Sequence, residues 1–216
     1  NGRLQLRVRR SGGWRRPARR WKRRAAVPCC RWANSASFIP PIRCILFFGG
    51  FDSQCNFNDA ALFSLDDRKW HSLQFDVEIG FRAYHSTASR MINKQFEVFL
   101  FGGQWCNGGP YNYHNDVFKF TFFENVTKNE LTEDHDDDTK EDEEREDTES
   151  GGFKVEKVSI SGDVAPCPRS MSYCWIRGGV FYVFGGCTAR WTLNDLWTLD
   201  LETLKWSEVE YGGILG

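Results

Sequence analysis

Histidine and cysteine are the residue types of this chain that could carry metal, redox or nucleophilic chemistry. There are four histidines and eight cysteines, the latter being Cys29, Cys30, Cys44, Cys55, Cys106, Cys167, Cys174 and Cys187. No Cys-x-x-Cys motif occurs, and no histidine lies at ligand spacing from a cysteine, so the sequence does not predict a zinc site. His85 and His114 could meet across a sheet, but a surface or core role is the better interpretation of each. We therefore predict no catalytic residue, no metal ligand and no cofactor.

The cysteines also indicate a compartment. Scattered cysteines in a chain of this length are more typical of buried thiols in a reducing environment than of a disulfide framework. No run of about 18 apolar residues occurs, so we expect no membrane span. The predicted location is the cytoplasm, with the nucleus as the alternative.

Charge is concentrated in two segments. Residues 1–31 contain twelve Arg or Lys and no acid, and residues 130–149 contain thirteen Asp or Glu. The basic segment, with Trp14 and Trp21, could hold phosphates and stack on bases, but nucleic acid is not the partner that we expect. We interpret residues 1–26 as a disordered basic arm; the alternatives are a mitochondrial presequence or a segment that is not genuine coding sequence. Residues 130–150 are predicted to form a disordered acidic insert because such a composition buries no core.

A repeated pattern of apolar and glycine residues indicates the fold. Short apolar runs end in a glycine pair at residues 45–50, 98–103 and 181–186. Each run is preceded by an arginine and followed by an Asn-Asp pair; the arginines are Arg31, Arg82 and Arg169. Trp70 and Trp206 each follow the Asn by twelve residues. The middle copy has no Trp there, so Phe153 or Val155 must fill that position. Without the acidic insert the period is about 50 residues, which is the length of a kelch unit.

This combination of landmarks resembles kelch repeats, whose units each form one four-stranded blade of a β-propeller. The resemblance covers about residues 27–212, in a repeat region at 27–216, and implies an all-β fold with antiparallel blades at about 27–75, 81–160 and 167–211. The continuous apolar runs support it, since strands covered on both faces do not alternate. Propellers have about four to eight blades. We therefore expect an incomplete ring, to be completed by missing blades or by self-association.

The resemblance implies a protein-interaction module that binds another protein, and not an enzyme. One alternative is an enzyme like galactose oxidase, which shares this type of fold and uses a copper centre of Tyr and His ligands with a cross-linked Cys. The four histidines include no ligand-like pair, which argues against it. The second alternative is nucleic-acid binding through the basic arm.

The strand order predicts a binding face at one end of the blades. The first two strands of a blade are antiparallel, so the residues after each arginine should lie beside those after each glycine pair. Kelch relatives resemble this arrangement in using the same face for ligands, and Trp, Tyr and Arg are the commonest hot-spot residues. The predicted partner-binding residues are Trp32, Phe51, Asp52, Gln104, Trp105, Tyr111, Ser170, Arg190 and Trp191. The acidic insert should emerge at the opposite end.

Overall fold

The computed structural model describes residues 30–52, 55–123 and 152–210, which form three four-stranded antiparallel sheets and one small hairpin. Sheet 1 consists of β1 (Ser35–Ile39), β2 (Cys44–Phe48), β3 (Ala60–Ser64) and β4 (Trp70–Leu73), with a short 3-10 turn at Pro40–Ile42. Sheet 2 consists of β5 (Ser86–Ile92), β6 (Gln95–Phe101), β9 (Val117–Phe123) and β10 (Phe153–Lys157). Between β6 and β9 the chain forms the separate hairpin of β7 (Gln104–Trp105) and β8 (Asn112–Tyr113), which we call the hairpin of sheet 2. Sheet 3 consists of β11 (Tyr173–Arg177), β12 (Val180–Cys187), β13 (Thr192–Asp200) and β14 (Lys205–Glu208).

The predicted all-β fold with three four-stranded antiparallel sheets is confirmed. In every sheet the strands pair in chain order, as the blades of a partial β-propeller do, and the described residues form no closed ring. The predicted basic arm at residues 1–26 and acidic insert at 130–150 lie outside the described residues. No helix in the described ranges has the length and apolar character to cross a membrane.

Two hydrophobic clusters hold the three sheets together. One lies between sheets 1 and 2 and includes Phe48 and Phe120, whose rings are 5.9 Å apart. The other lies between sheets 2 and 3 and includes Phe99 and Phe181, also 5.9 Å apart. Sheet 2 therefore packs on both faces, which explains the continuous apolar sequence of β6.

The two seams between the sheets use the same pair of sheet faces. Residues one and three positions before a glycine pair point toward the following sheet, and we call this side of a sheet its forward face. Residues two and four positions before the pair point toward the preceding sheet, and we call this side the rear face. Each seam thus joins the forward face of one sheet to the rear face of the next.

The outermost strands explain the missing Trp of the middle copy. Trp70 pairs with Phe63 and Trp206 pairs with Leu199, at the same register in sheets 1 and 3. In sheet 2 the equivalent residue of β9 is Phe120, which pairs with Val155. Of the two residues that the sequence offered, Val155 therefore occupies the Trp position.

Candidate partner-binding face

An arginine–aspartate pair fixes the loops at one end of each sheet. The guanidinium of Arg82 donates to Asp116 at 2.7 Å and to the carbonyl of Gly102 at 3.1 Å. Arg169 makes the same two bonds in sheet 3, to Asp195 at 2.6 Å and to the Gly185 carbonyl at 3.0 Å. Because a fork of parallel donors matches a carboxylate in only one orientation, these pairs fix the loops rigidly.

The arginine–aspartate pair of sheet 1 lies closer to solvent than the other two pairs. Arg31 donates to Asp59 at 2.6 Å and to the Gly49 carbonyl at 3.1 Å. The Asp59 side chain is 57% exposed, whereas that of Asp116 is 18% exposed. Arg31 also lies 4.2 Å from the ring centroid of Phe57, within cation–π range. The pair thus recurs in all three sheets but is least buried in the first.

The glycine pairs connect each sheet to the next one. The amide of Gly103 donates to the carbonyl of Arg169 at 2.9 Å, and the amide of Gly50 donates to that of Arg82 at 2.8 Å. Gly103 has a φ of +98°, and a Cβ there would lie 3.0 Å from the carbonyl oxygen of Ala83. Only glycine fits such a close backbone approach at this φ. The arginines therefore link their own loops through the side chain and the neighbouring sheet through the main chain.

The predicted juxtaposition of the two loop segments is present in all three sheets. Isolated bridges pair Trp32 with Phe51, Ala83 with Gln104 and Ser170 with Cys187. In each pair the first residue directly follows a repeat arginine and the second follows a glycine pair. The loop segments consequently lie side by side at one end of the sheets, as the antiparallel pairing requires.

A cavity of about 560 Å³ opens among these loops. Five of the nine predicted partner-binding residues line it, namely Trp32, Phe51, Asp52, Gln104 and Tyr111. The other lining residues are Cys55, Asn56, Ala83, Tyr84, Cys106, Tyr113, Met171 and Cys187. The lining thus combines aromatic rings with amide, carboxylate and thiol groups contributed by all three sheets.

An aromatic cluster forms one wall of the cavity. The ring centroids of Trp32 and Phe51 are 4.0 Å apart, and Tyr84 lies 6.0 Å from Trp32 and 5.8 Å from Phe51. Trp32 is 55% exposed and Tyr111, elsewhere on the cavity, is 57% exposed. Exposed rings that are held by neighbouring rings lose little entropy on binding, and such rigid aromatics are typical of interaction surfaces.

Two of the predicted residues, Ser170 and Gln104, are buried and hold neighbouring loops together. Ser170 is fully buried, and its hydroxyl donates to Gln104 at 2.7 Å. Gln104, itself buried, also pairs with Ala83 through main-chain hydrogen bonds. This contact ties a loop of sheet 3 to the hairpin of sheet 2. Asp52 likewise accepts from the amide of Cys55 at 2.7 Å and so shapes its own turn.

The remaining three predicted residues lie outside the cavity lining. Trp105 is partly buried in β7, at the start of the hairpin. Arg190 and Trp191 form the turn between β12 and β13, where the Thr188 hydroxyl accepts from both of their amides. Trp191 is 70% exposed. The structure therefore gathers five predicted residues around one cavity, with Ser170 beneath it and these three on the neighbouring loops.

Two histidines at this end of the sheets have lowered pKa values. Burial lowers the pKa of His85 to about 3, and the charge of Arg82 contributes. His85 Nε2 lies 2.8 Å from the hydroxyl of Ser35 in the neighbouring sheet. Burial and then the Arg82 charge also lower the pKa of His114. Among the described residues, no group of three or more His, Cys, Asp or Glu is placed to hold a metal ion.

Eight lining residues of this cavity were not among the predicted partner-binding residues, and Tyr84 and Met171 are two of them. Tyr84 and Met171 each follow a repeat arginine by two residues, as does Ala33, and all three have a positive φ between 55° and 58°. The amide of Tyr84 donates to the Ala33 carbonyl, and that of Met171 donates to the Tyr84 carbonyl. This position recurs at a constant distance from each arginine, and that spacing is the signal from which it could have been found.

Comparison with known proteins shows distant and partial similarity to kelch-type proteins. No family model matches the chain. The chain is 28% identical over 179 residues to Tip elongation aberrant protein 3 of Schizosaccharomyces pombe, which covers 76% of this chain and 15% of that protein. It is 44% identical over 63 residues to Host cell factor 2 of Homo sapiens, covering 26% of this chain and 8% of the relative. It is 44% identical over 48 residues to Kelch domain-containing protein 1 of Mus musculus, covering 22% and 12%. The chain thus spans at most 15% of the length of these relatives.

Proposed function

We propose that this chain is a kelch-type interaction module that binds another protein through the loops at the glycine-pair end of its sheets. The observation that carries the proposal is the aromatic cavity, in which exposed rings from sheets 1 and 2 surround about 560 Å³. The kelch name of one relative supports the family, and the rigid loops support binding. Aromatic side chains held in this way are the usual anchors of a protein interface.

The proposed mode of action is binding without catalysis. The ion pairs of the repeat serve the scaffold: Arg82 binds Asp116, and Arg169 binds Asp195. Burial alone would raise the pKa of Asp195, but hydrogen bonds from Arg169 and Trp197 outweigh this effect and lower it. Because these bonds stabilise its charged form, the Asp195 carboxylate is poorly suited to exchange protons with a substrate. Location in the cytoplasm or nucleus stays a prediction, which imaging of a tagged chain would test.

A site-specific photo-crosslinker tests the proposed face. The crosslinking amino acid replaces Tyr111 in one variant and Met91 in the other. Met91 is a matched control because it is 53% exposed and lies near the β5–β6 turn, at the opposite end of the sheets. We expect illumination in cell extract to crosslink one dominant protein to the variant at Tyr111. The same protein should not crosslink to the variant at Met91. The proposal fails if the same adducts form at both positions, or if Tyr111 gives none.

A further inference from the structure

The cavity among the loops presents negative and not positive charge to a bound group. Thirteen described residues line it, of which five are aromatic and one, Asp52, carries a carboxylate. None of these thirteen residues is Lys, Arg or His. The face of an aromatic ring is also negative because of its quadrupole. The described lining therefore favours a cationic occupant over an anionic one.

The aromatic rings of this cavity form a corner and not a flat patch. The rings of Trp32 and Tyr84 stand at 83° to each other, and the Phe51 ring lies 4.0 Å from that of Trp32. Asp52 directly follows Phe51, and its carboxylate accepts from the amide of Cys55 at 2.7 Å, which fixes its position in the turn. A carboxylate has about four acceptor positions and can serve a bound cation in addition to this amide.

The chain holds its own repeat arginines against the same two kinds of group. The guanidinium carbon of Arg82 lies 5.1 Å from the ring centroid of Phe118, and Arg82 donates to Asp116 at 2.7 Å. Arg31 likewise contacts one aromatic ring and one carboxylate. Arginine suits this combination better than lysine does, because its planar guanidinium stacks on a ring and directs paired N–H donors at a carboxylate.

We propose that the cavity receives an arginine side chain of the partner protein, whose guanidinium packs on the ring of Trp32 and binds the carboxylate of Asp52. This inference rests on the proposed function, since it specifies what the partner presents to the binding face. The cavity volume of about 560 Å³ lies within the range of about 300–1,000 Å³ typical of ligand cavities, so it has room for the side chain and part of its backbone. The ion pairs and main-chain bonds that fix these loops lower the entropic cost of binding.

Selection from a display library of short random peptides tests the inference on the full chain. We expect the wild-type chain to enrich peptides that contain arginine, and Asp52→Asn to lose this enrichment. Asparagine keeps an oxygen for the Cys55 amide and removes only the charge, so the turn should keep its shape. Asp66→Asn is the matched control, because that carboxylate is 46% exposed and follows β3 at the opposite end of sheet 1. The control should enrich the same peptides as wild type.

One enriched peptide then provides a double-mutant cycle. Its arginine is replaced by citrulline, which has nearly the same shape and no charge. We expect this change to weaken binding to the wild-type chain by roughly tenfold or more, as the loss of a charge-assisted hydrogen bond does. The same change should have a much smaller effect on binding to Asp52→Asn. Trp32→Leu should also weaken binding of the arginine peptide, because it removes the exposed ring. Isothermal titration calorimetry measures each Kd.

The outcomes separate this inference from the proposed function. If the wild-type chain enriches peptides without arginine, and Tyr111→Ala weakens their binding, the face binds protein but the arginine inference is wrong. Arginine peptides that bind wild type, Asp52→Asn and Trp32→Leu equally also overturn the inference, since the thirteen acids of residues 130–149 would attract such peptides without the cavity. A wild-type chain that enriches no peptide overturns both proposals.

Discussion

Replacement of Arg82 by methionine should strongly destabilise the chain. Its side chain is fully buried, and it donates to Asp116 at 2.7 Å, to the Gly102 carbonyl at 3.1 Å and to the carbonyl of Ile79. The guanidinium carbon also lies 5.1 Å from the ring centroid of Phe118. Arg82→Met keeps much of the apolar stem but leaves one carboxylate and two carbonyl oxygens without these donors.

The magnitude follows from that loss. Removing one partner of a buried ion pair costs about 3–5 kcal/mol, because the charge left behind is no longer compensated. For a chain of this size each kcal/mol corresponds to about 2–4 °C in the thermal midpoint, so the expected loss is roughly 6–20 °C. The matched control is Arg43→Met, which removes an arginine–aspartate bond of 2.7 Å between side chains that are 65% and 46% exposed.

Urea unfolding followed by tryptophan fluorescence measures both variants. We expect Arg43→Met to unfold at the wild-type midpoint, because exposed ion pairs are screened by solvent. If Arg82→Met also unfolds there, the arginine–aspartate pair does not hold the loops, and the argument for a rigid binding face loses its basis. If Arg82→Met is too unstable to purify, Asp116→Asn retains the shape of the pair and should show a smaller loss in the same direction.

Three further predictions follow from the loops and their buried groups. Gly103→Ala should destabilise the chain more than Gly108→Ala, although both glycines have a positive φ. A Cβ at Gly103 would lie 3.0 Å from the Ala83 carbonyl oxygen, whereas a Cβ at Gly108 would meet nothing within 4 Å. Thermal unfolding measures the difference, and equal losses of stability would refute the close approach at Gly103. The folded-state pKa of His85 is about 3, below its unfolded value, so unfolding takes up a proton and this residue should lower stability by about 1.2 kcal/mol from pH 6 to pH 5. His85→Gln should lack that part of the pH dependence, and an unchanged dependence in urea titrations would contradict the assignment. Under native conditions iodoacetamide should label the exposed Cys55 and spare Cys174, whose pKa burial raises to about 12. Mass spectrometry that finds both cysteines labelled at equal rates would contradict the burial of the Cys174 thiol.

The sequence predicted the fold because its landmarks are local and repeat in register. An apolar run, a glycine pair and an Asn-Asp pair are each required by backbone geometry, so they recur wherever a sheet is built in this way. The juxtaposition of Trp32 with Phe51 follows from antiparallel pairing alone. These inferences need only the order of strands, which the repeat reveals.

The contacts that depend on three dimensions were less accessible from the sequence. The arginine and the Asp of each repeat were visible as separate landmarks in the sequence. The two partners are 28, 34 and 26 residues apart in the three repeats, so their contact becomes clear only in the folded structure. The cavity residue Tyr84 was overlooked because its aromatic side chain has no counterpart at Ala33 or Met171. Burial of Ser170 depends on the neighbouring sheet, which no pattern within one repeat can show.

A binding titration with the protein that crosslinks at Tyr111 is the strongest test of the proposed binding face. Tyr111→Ala and Trp191→Ala should each cost on the order of 2 kcal/mol, or roughly 30-fold in Kd, as hot-spot aromatics do. Deletion of residues 131–149 should leave the Kd nearly unchanged, because the strands on either side of that segment meet at the opposite end of sheet 2, where the Phe123 amide donates to the Gly152 carbonyl at 3.3 Å. Its loss should alter only the association rate and its dependence on salt. The proposed binding face is wrong if the deletion abolishes binding while both aromatic variants bind with the wild-type Kd.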